Sequence, residues 1–501
     1  MKNKIKSFQT NKVFQKAYLI TEKIQTYIKP FLMRSENSKR AYLISVSMGV
    51  IYAIAFLSLF FQLNGLYGSD GIRSISLFIE ILNQKNISAI NVPSIFWLNS
   101  SDLFLHIICF AGILGSICLT LGIFPLLNAI LVWFFYLSFV NVGFPFLNFQ
   151  WDVLLLEAGF LLLFIIPRKK IWSYSDQVSS SKLAILAFRL LLFKLLFTSG
   201  LVKVFSGDAA WSEFTALNYH YVTQPLPHFL SWFFNLLPTW LDKLSVLFMF
   251  FIELIVPFGL FFKSKIRHFS AVLICFFMCL IMLSGNYTFF NLLVIILCLS
   301  CFSFKELKSG AKTHPKFIVS KSFVALIIII LSVSFEFNRF ILKNNNDTIV
   351  SSFIRPLKLI NQYGLFTIMT KKRYEIEILA SLDGQNWKPY KFKSKMNHKS
   401  DIPKWVWPHQ PRLDWQMWFL SLTSMENSPW SFNLVDKLFK QSRAVEGLFE
   451  SVPFKTAPNY ILLKKREVEF SSVNKLIKKG EWWTVGKAQD FSPIFSNRFQ
   501  N

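Results

Sequence analysis

Beyond Cys301 the chain carries no cysteine, so whatever its C-terminal part folds into is held without disulfides. The six cysteines it does have (Cys109, Cys118, Cys275, Cys279, Cys298 and Cys301) all fall inside apolar runs. "CLSC" at 298–301 has the spacing of a redox pair but not the flanking strand and helix such a pair needs. It reads instead as small residues packing in a helix. Charge is scarce as well: 16% of the 501 residues are Asp, Glu, Lys or Arg, against 53% hydrophobic. A water-soluble globule of that composition would expose far too much apolar surface, which excludes the soluble classes. Nothing in the chain resembles a cleavable leader, because residues 1–40 are polar and basic and the first apolar run is too long for one. Internal repeats and low-complexity tracts are also missing.

Long apolar runs are what the sequence has in abundance. Nine can be drawn, at approximately 41–63, 102–122, 124–141, 150–167, 183–204, 244–262, 269–284, 287–303 and 321–340. Most reach the roughly 20 residues that span a bilayer as helix. The 269–284 and 287–303 runs are short, and the pair fits two spans or a re-entrant hairpin. These runs predict a polytopic α-helical membrane protein of about nine transmembrane helices. A basic segment (1–40) precedes the bundle (41–340), and a soluble domain (341–501) follows it.

The net charge of +26 looks like a nucleic-acid footprint until its distribution is examined. Lys and Arg gather in residues 1–40, in "PRKK" with Lys182, in "FKSKIRH" at 262–268 and in "FKELKSGAKTHPK" at 304–316. Counting helices puts all four on one side of the membrane, while loops 64–101, 142–149 and 205–243 are nearly neutral. This positive-inside pattern predicts a cytosolic N-terminus, a C-terminal domain on the opposite face and no nucleic-acid partner. That domain reads β-rich. "RYEIEILAS" alternates with period two, "DG" at 383–384 signals a turn, "WKPYKFK" returns and "YILLKKREVEF" is a further strand. Residues 414–450 look partly helical, so a small sheet or sandwich with a helical insert is expected.

Acids inside the apolar runs demand explanation. "FQWDVLLLEAGFLLLF" (149–164) carries Asp152 and Glu157, and an acid at mid-membrane costs about 3 kcal/mol on insertion scales. The 183–204 run offers Arg189, Lys194 and Lys203 as counter-charges. Glu253 lies in "MFFIELIVPFGLFF", near the helix-kinking Pro257. Two readings stay open: pairing across helices that fixes packing, or a polar cavity serving chemistry or transport. The most site-like loop is 206–234, where Trp211, Tyr219, His220, Tyr221, Gln224, His228 and Trp232 surround "QPLP". An aromatic belt at the membrane interface is the plainer account. His220 and His228, without a nearby carboxylate or cysteine cluster, predict no metal site.

Several segments together resemble the lipase maturation factor family: "FQWDVLLLEAGFL", "GLVKVFSGDAAW", "LNYHYVTQPLPHFLSWFF", "FIELIVPFGLFF", "SGNYTFFNLL", "YGLFTIMTKKRYEIEI" and "PHQPRLDWQMWF". The resemblance implies a non-enzymatic membrane protein that helps exported enzymes fold or assemble. In animals these are lipases, and the protein sits in the endoplasmic reticulum; a bacterial member would sit in the cytoplasmic membrane. The partners implied are the lipid bilayer and exported clients such as lipases. Family-characteristic positions fall on Gln150, Trp151, Asp152 and Glu157, and on Gly207, Asp208, Trp211, Tyr219, His220, Tyr221, Gln224, Pro225 and Pro227. They continue at Gly285, Asn286 and Tyr287. In the soluble domain they are Arg373, Tyr374, His409, Gln410, Arg412, Asp414, Trp415 and Gln416, of which 405–419 would face a client or the bundle. A fainter, local similarity links "TSGLVKVFSGDAAW" to vitamin K-dependent γ-carboxylase relatives. It implies the alternative of a quinone-linked enzyme with Lys203 as base; under the leading reading no cofactor is expected. A transporter is disfavoured, because the chain shows no inverted repeat.

Overall fold

The computed structural model describes residues 35–36, 38–176, 180–304, 324–334 and 354–497. The basic leader up to residue 34, most of the 304–316 cluster and the end of the ninth run lie outside the described residues. Each of the nine apolar runs contains a helix: α1 Ser38–Phe60, α2 Asp102–Thr120, α3 Pro125–Val142, α4 Gln150–Leu162, α5 Lys182–Val204, α6 Thr239–Phe250, α7 Ser264–Ser284, α8 Phe290–Cys298 and α9 Val324–Ser334. Among the described residues only six are long and apolar enough to cross a bilayer: α1, α2, α3, α5, α7, and α6 with its extension to Phe261. The expected count of nine spans is thus not confirmed. α4 winds for 13 residues and α8 for 9, while α9 borders residues outside the description at both ends. α7 reaches back to Ser264, so the 269–284 run is part of a full-length helix rather than half of a hairpin.

Local chemistry sets the helix ends. Ser101 Oγ accepts from the Phe104 N–H at the start of α2, Pro125 opens α3, and Ser181 Oγ accepts from Leu183 N–H at the start of α5. Beyond Phe250, α6 widens into a π turn at Phe251–Ile255 and then tightens into a 3-10 turn at Val256–Phe261. Pro257 explains the break: it has no N–H to donate, and its ring displaces the carbonyl one turn back. Small residues let the bundle close. A Cβ on Gly112 of α2 would lie 2.5 Å from Phe56 Cε1 of α1.

The C-terminal domain is built on an antiparallel sheet. Arg373–Ser381 lies between the short Lys388–Pro389 and the long Tyr460–Phe470, which in turn pairs with Trp483–Asp490 and, at its start, with Phe495–Ser496. Both long strands match the alternating segments of the sequence. A separate ribbon pairs Lys391–Phe392 with Phe449–Ser451. The expected helical insert is Arg412–Ser421 (α10) and Trp430–Phe439 (α11). α10 packs against the first long strand, and its Leu413, Trp415 and Met417 join the same buried apolar core as the bundle.

The close α1–α2 contact gives a packing test. Gly112→Ala forces its methyl into the buried Phe56 ring, and overpacking of this kind costs about 1–3 kcal/mol. We expect a lower unfolding temperature in detergent, partly restored by adding Phe56→Leu. An unchanged temperature would mean that the helices are not packed this closely.

Candidate functional site

Asp152 sits in the first turn of α4, where the helix dipole favours an anion. Its Oδ2 accepts from the backbone N–H groups of Asn148 and Phe149 at 3.1 and 3.0 Å, and its Oδ1 from the Tyr136 hydroxyl at 2.5 Å. The counter-charge is Arg412, at the start of α10 in the C-terminal domain. Its Nη2 lies 3.4 Å from Asp152 Oδ1, and its Nη1 donates to Phe146 O at 2.6 Å. Both side chains are buried. The charge partner of Asp152 thus lies in the C-terminal domain rather than in the 183–204 run. Arg189, one of the candidate counter-charges, donates to the Ser300 carbonyl at 2.9 Å.

Glu157 is a junction of four elements. Oε1 accepts from Lys194 Nζ of α5 at 2.7 Å and from Ser332 of α9 at 3.4 Å. Oε2 accepts from Asn361 at 3.2 Å and from the Tyr363 hydroxyl at 2.7 Å. Asn361 and Tyr363 belong to a segment that follows the bundle and turns back into it. Gly364 N–H donates to Gln150 Oε1, Trp211 Nε1 donates to Phe366 O, and Met369 N–H donates to Asp208 Oδ2. Sequence reasoning singled out none of Ser332, Asn361 or Phe366. The signal was present in "LINQYGLF", a cluster of polar and aromatic residues embedded in an apolar stretch.

Lys203 pairs with Glu253 on the π turn. Its Nζ lies 2.9 and 2.8 Å from the two carboxylate oxygens and 3.1 Å from Ser199 O. Gly200 makes room for this contact: a Cβ there would lie 2.6 Å from Leu254 Cδ2. All three of these Lys203 contacts are to protein oxygens, and nothing supports the quinone-linked alternative. The two loop histidines part company. His220 Nε2 meets the Tyr287 hydroxyl at 2.7 Å, whereas His228 stacks on Trp405 and approaches Met282 O.

The remaining family-motif residues form a seam between loop and sheet. Arg373 donates to the carbonyls of Val222, Gln224 and Pro225 and pairs with Glu375. Burial alone would push the Glu375 carboxyl up, but Arg373 and Lys395 outweigh it and hold the group below the usual range. Asn286 binds Leu226 O and Lys404 O through its amide NH₂ and accepts from Val406 and Trp407 N–H. Gln410 is gripped by the bundle on three sides: Gln62 Nε2 to its carbonyl, Trp151 Nε1 to its Oε1, and its N–H to Ser58 Oγ. Ser58 also meets His409 Nδ1 at 2.9 Å. Burial, with the Arg412 and Lys393 charges, pushes that imidazole down to about 4, so it remains neutral. Gln416 donates to Pro145 O, and Trp415 packs edge-on against Trp151. Tyr374 stands apart from the seam, with Lys465 over its ring at 4.3 Å. Arg412, Trp415, Gln416, Gln410 and Arg373 are all buried, so they face the bundle rather than an outside partner.

Comparison with known proteins agrees with this layout. The lipase maturation factor transmembrane domain matches residues 39–309, and the lipase maturation factor C-terminal domain matches 359–493. The chain is 28% identical over 495 residues to lipase maturation factor 1 of Mus musculus, covering 89% of this chain and 85% of that one. It is 30% identical over 576 residues to lipase maturation factor 2 of Xenopus laevis, covering 88% and 80%. No solved structure matches it.

Two outcomes follow from the seam. Arg412→Met strands a buried Asp152 and should cost about 3–5 kcal/mol, most of it recovered in Asp152→Asn/Arg412→Met; thermal unfolding of the two variants measures this. The second concerns Asp414, whose Oδ1 accepts from Ser394 and Lys395 N–H at 2.8 and 3.0 Å. Burial raises its carboxyl to about 6. Its contribution to stability is complete below the ordinary carboxylate value and is lost as pH rises through about 6. Asp414→Asn should therefore gain on the wild type in unfolding temperature as pH climbs from acid to neutral. A constant difference across that range would refute the assignment.

Proposed function

Since the chain belongs to the lipase maturation factor family, we propose that it is a membrane-embedded maturation factor for exported hydrolases. Lipases are the first candidates, as the relatives' names state. One observation carries the reading. The motif residues are spent on fixing the sheet domain to the bundle, and they assemble no nucleophile–base pair. The product of that investment is a domain held in one posture at the membrane face, which is what a folding surface for emerging clients requires. The client face then lies on the exposed remainder of the C-terminal domain, away from the buried 405–419 segment. The distribution of Lys and Arg supports a cytosolic N-terminus, with the C-terminal domain in the periplasm or the lumen.

Deletion in the native organism, with quantitative comparison of exported proteins, tests the function. Activity of one or more exported lipases should fall while their transcripts stay constant, and wild-type protein should restore it. If every exported hydrolase keeps its activity, the reading fails. Orientation is tested separately with Lys478→Cys, an exposed position. In a bacterial host membrane-impermeant maleimide should label it in intact cells, and in a host with an endoplasmic reticulum only once sealed microsomes are opened; labelling of sealed microsomes, or of bacteria only after lysis, would reverse the topology.

A further inference from the structure

A cavity of about 340 Å³ lies between α5, α6, α7 and the 217–241 loop, and the returning segment closes it with Phe366. That is roughly twice the size of a cavity that holds one benzene ring, enough for an alkyl chain on the order of a dozen carbons. Its walls are almost entirely apolar side chains. The polar exceptions are Lys203, Glu253, His220, Tyr221 and Tyr287, with three serines. An apolar pocket with a few convergent polar groups is the usual form of a small-molecule site.

Hydrogen bonding fixes what those polar groups offer. Gln224 Nε2 donates to the carbonyls of Tyr221 and Ser284, so its Oε1 is an acceptor. The Tyr287 hydroxyl lies 2.9 Å from that oxygen and must donate its single proton there. His220 Nε2, at 2.7 Å, is then obliged to donate to the Tyr287 oxygen. In the neutral ring Nδ1 is left as a lone-pair acceptor, with no hydrogen bond from the described residues. Burial and the Lys203 charge push the imidazole down to about 4, which keeps it neutral. Lys203 has already committed its protons. Among the described residues the cavity thus offers an acceptor and no free cation. Its partly exposed lining residues include Phe234, Leu237 and Leu241, beside the exposed Phe233, Leu236 and Trp240. Apolar rims of this kind open toward lipid rather than water.

We propose that this cavity binds a single-chain, uncharged membrane amphiphile whose hydroxyl donates to His220 Nδ1. The site does not depend on the client reading, and a client defect alone leaves it untouched. The test uses the full chain in phosphatidylcholine nanodiscs with a diazirine-bearing dodecanol, and maps the crosslinks by mass spectrometry. Crosslinks should fall on the cavity lining. Unlabelled dodecanol should compete about tenfold better than laurate or dodecyl methyl ether, the worth of one buried hydrogen bond. Met249→Trp and Leu280→Trp fill the space and should each reduce labelling at least about fivefold. In His220→Phe the alcohol and the ether should compete equally. Equal competition by all three in the wild type overturns the proposal, as does labelling that both tryptophan variants leave intact. If neither variant folds, the wild-type competition series alone decides it.

Discussion

A carboxylate taken out of water must be met by a counter-charge and by enough donors to replace its hydration, and this requirement organises the whole chain. Asp152 and Glu157 both lie in α4, and neither is satisfied by the bundle alone. Asp152 needs Arg412 of the C-terminal domain, while Glu157 uses Asn361 and Tyr363 beside Lys194. A buried pair contributes little net stability compared with an apolar replacement, yet losing one partner is costly. What the acids supply is therefore specificity of arrangement. The helices reach their lowest free energy only when the downstream chain has come back and docked.

Tryptophan serves the same end with a single donor. Trp151, Trp211, Trp232 and Trp418 each bury a large ring at the boundary between bundle and tail, and each places its Nε1–H on an oxygen of the other part. No smaller side chain combines that much apolar area with one directional proton. Trp415 uses only the first property: its indole N–H has no partner among the described residues, and its ring wedges against Trp151 and Phe149. The aromatic richness of 206–234 and 405–419, which on sequence grounds fits an interfacial belt, is largely the material of this docking surface.

How far the sequence could be read depended on whether a signal was periodic or distant. Apolar runs and period-two alternation are local, and they located α1 to α9 and both long strands. The partner of Asp152 lies 260 positions downstream, where no local rule reaches. Arg189 and Lys203 stand in one apolar run as candidate counter-charges. Yet Arg189 answers a helix C-terminal carbonyl, and Lys203 answers Glu253, because the π turn brings that acid across to α5. Composition marks nine runs, of which six are, among the described residues, helices long and apolar enough to cross a bilayer. An apolar run that ends in a turn inside the protein, as α4 does, is as greasy as one that crosses the bilayer.

The returning segment joins these features in one covalent stretch. Asn361 and Tyr363 hold Glu157, Gly364 lies against Val202 of α5, Phe366 closes the cavity over His220 and Tyr287, and Met369 is anchored by Asp208. A few residues later Arg373 begins the sheet while grasping three carbonyls of the 222–225 turn. Every few residues along this path is fixed to the bundle by a directional bond, which leaves no slack to absorb movement. Cavity and sheet are thus joined by a single short length of backbone, fixed to the bundle along its way.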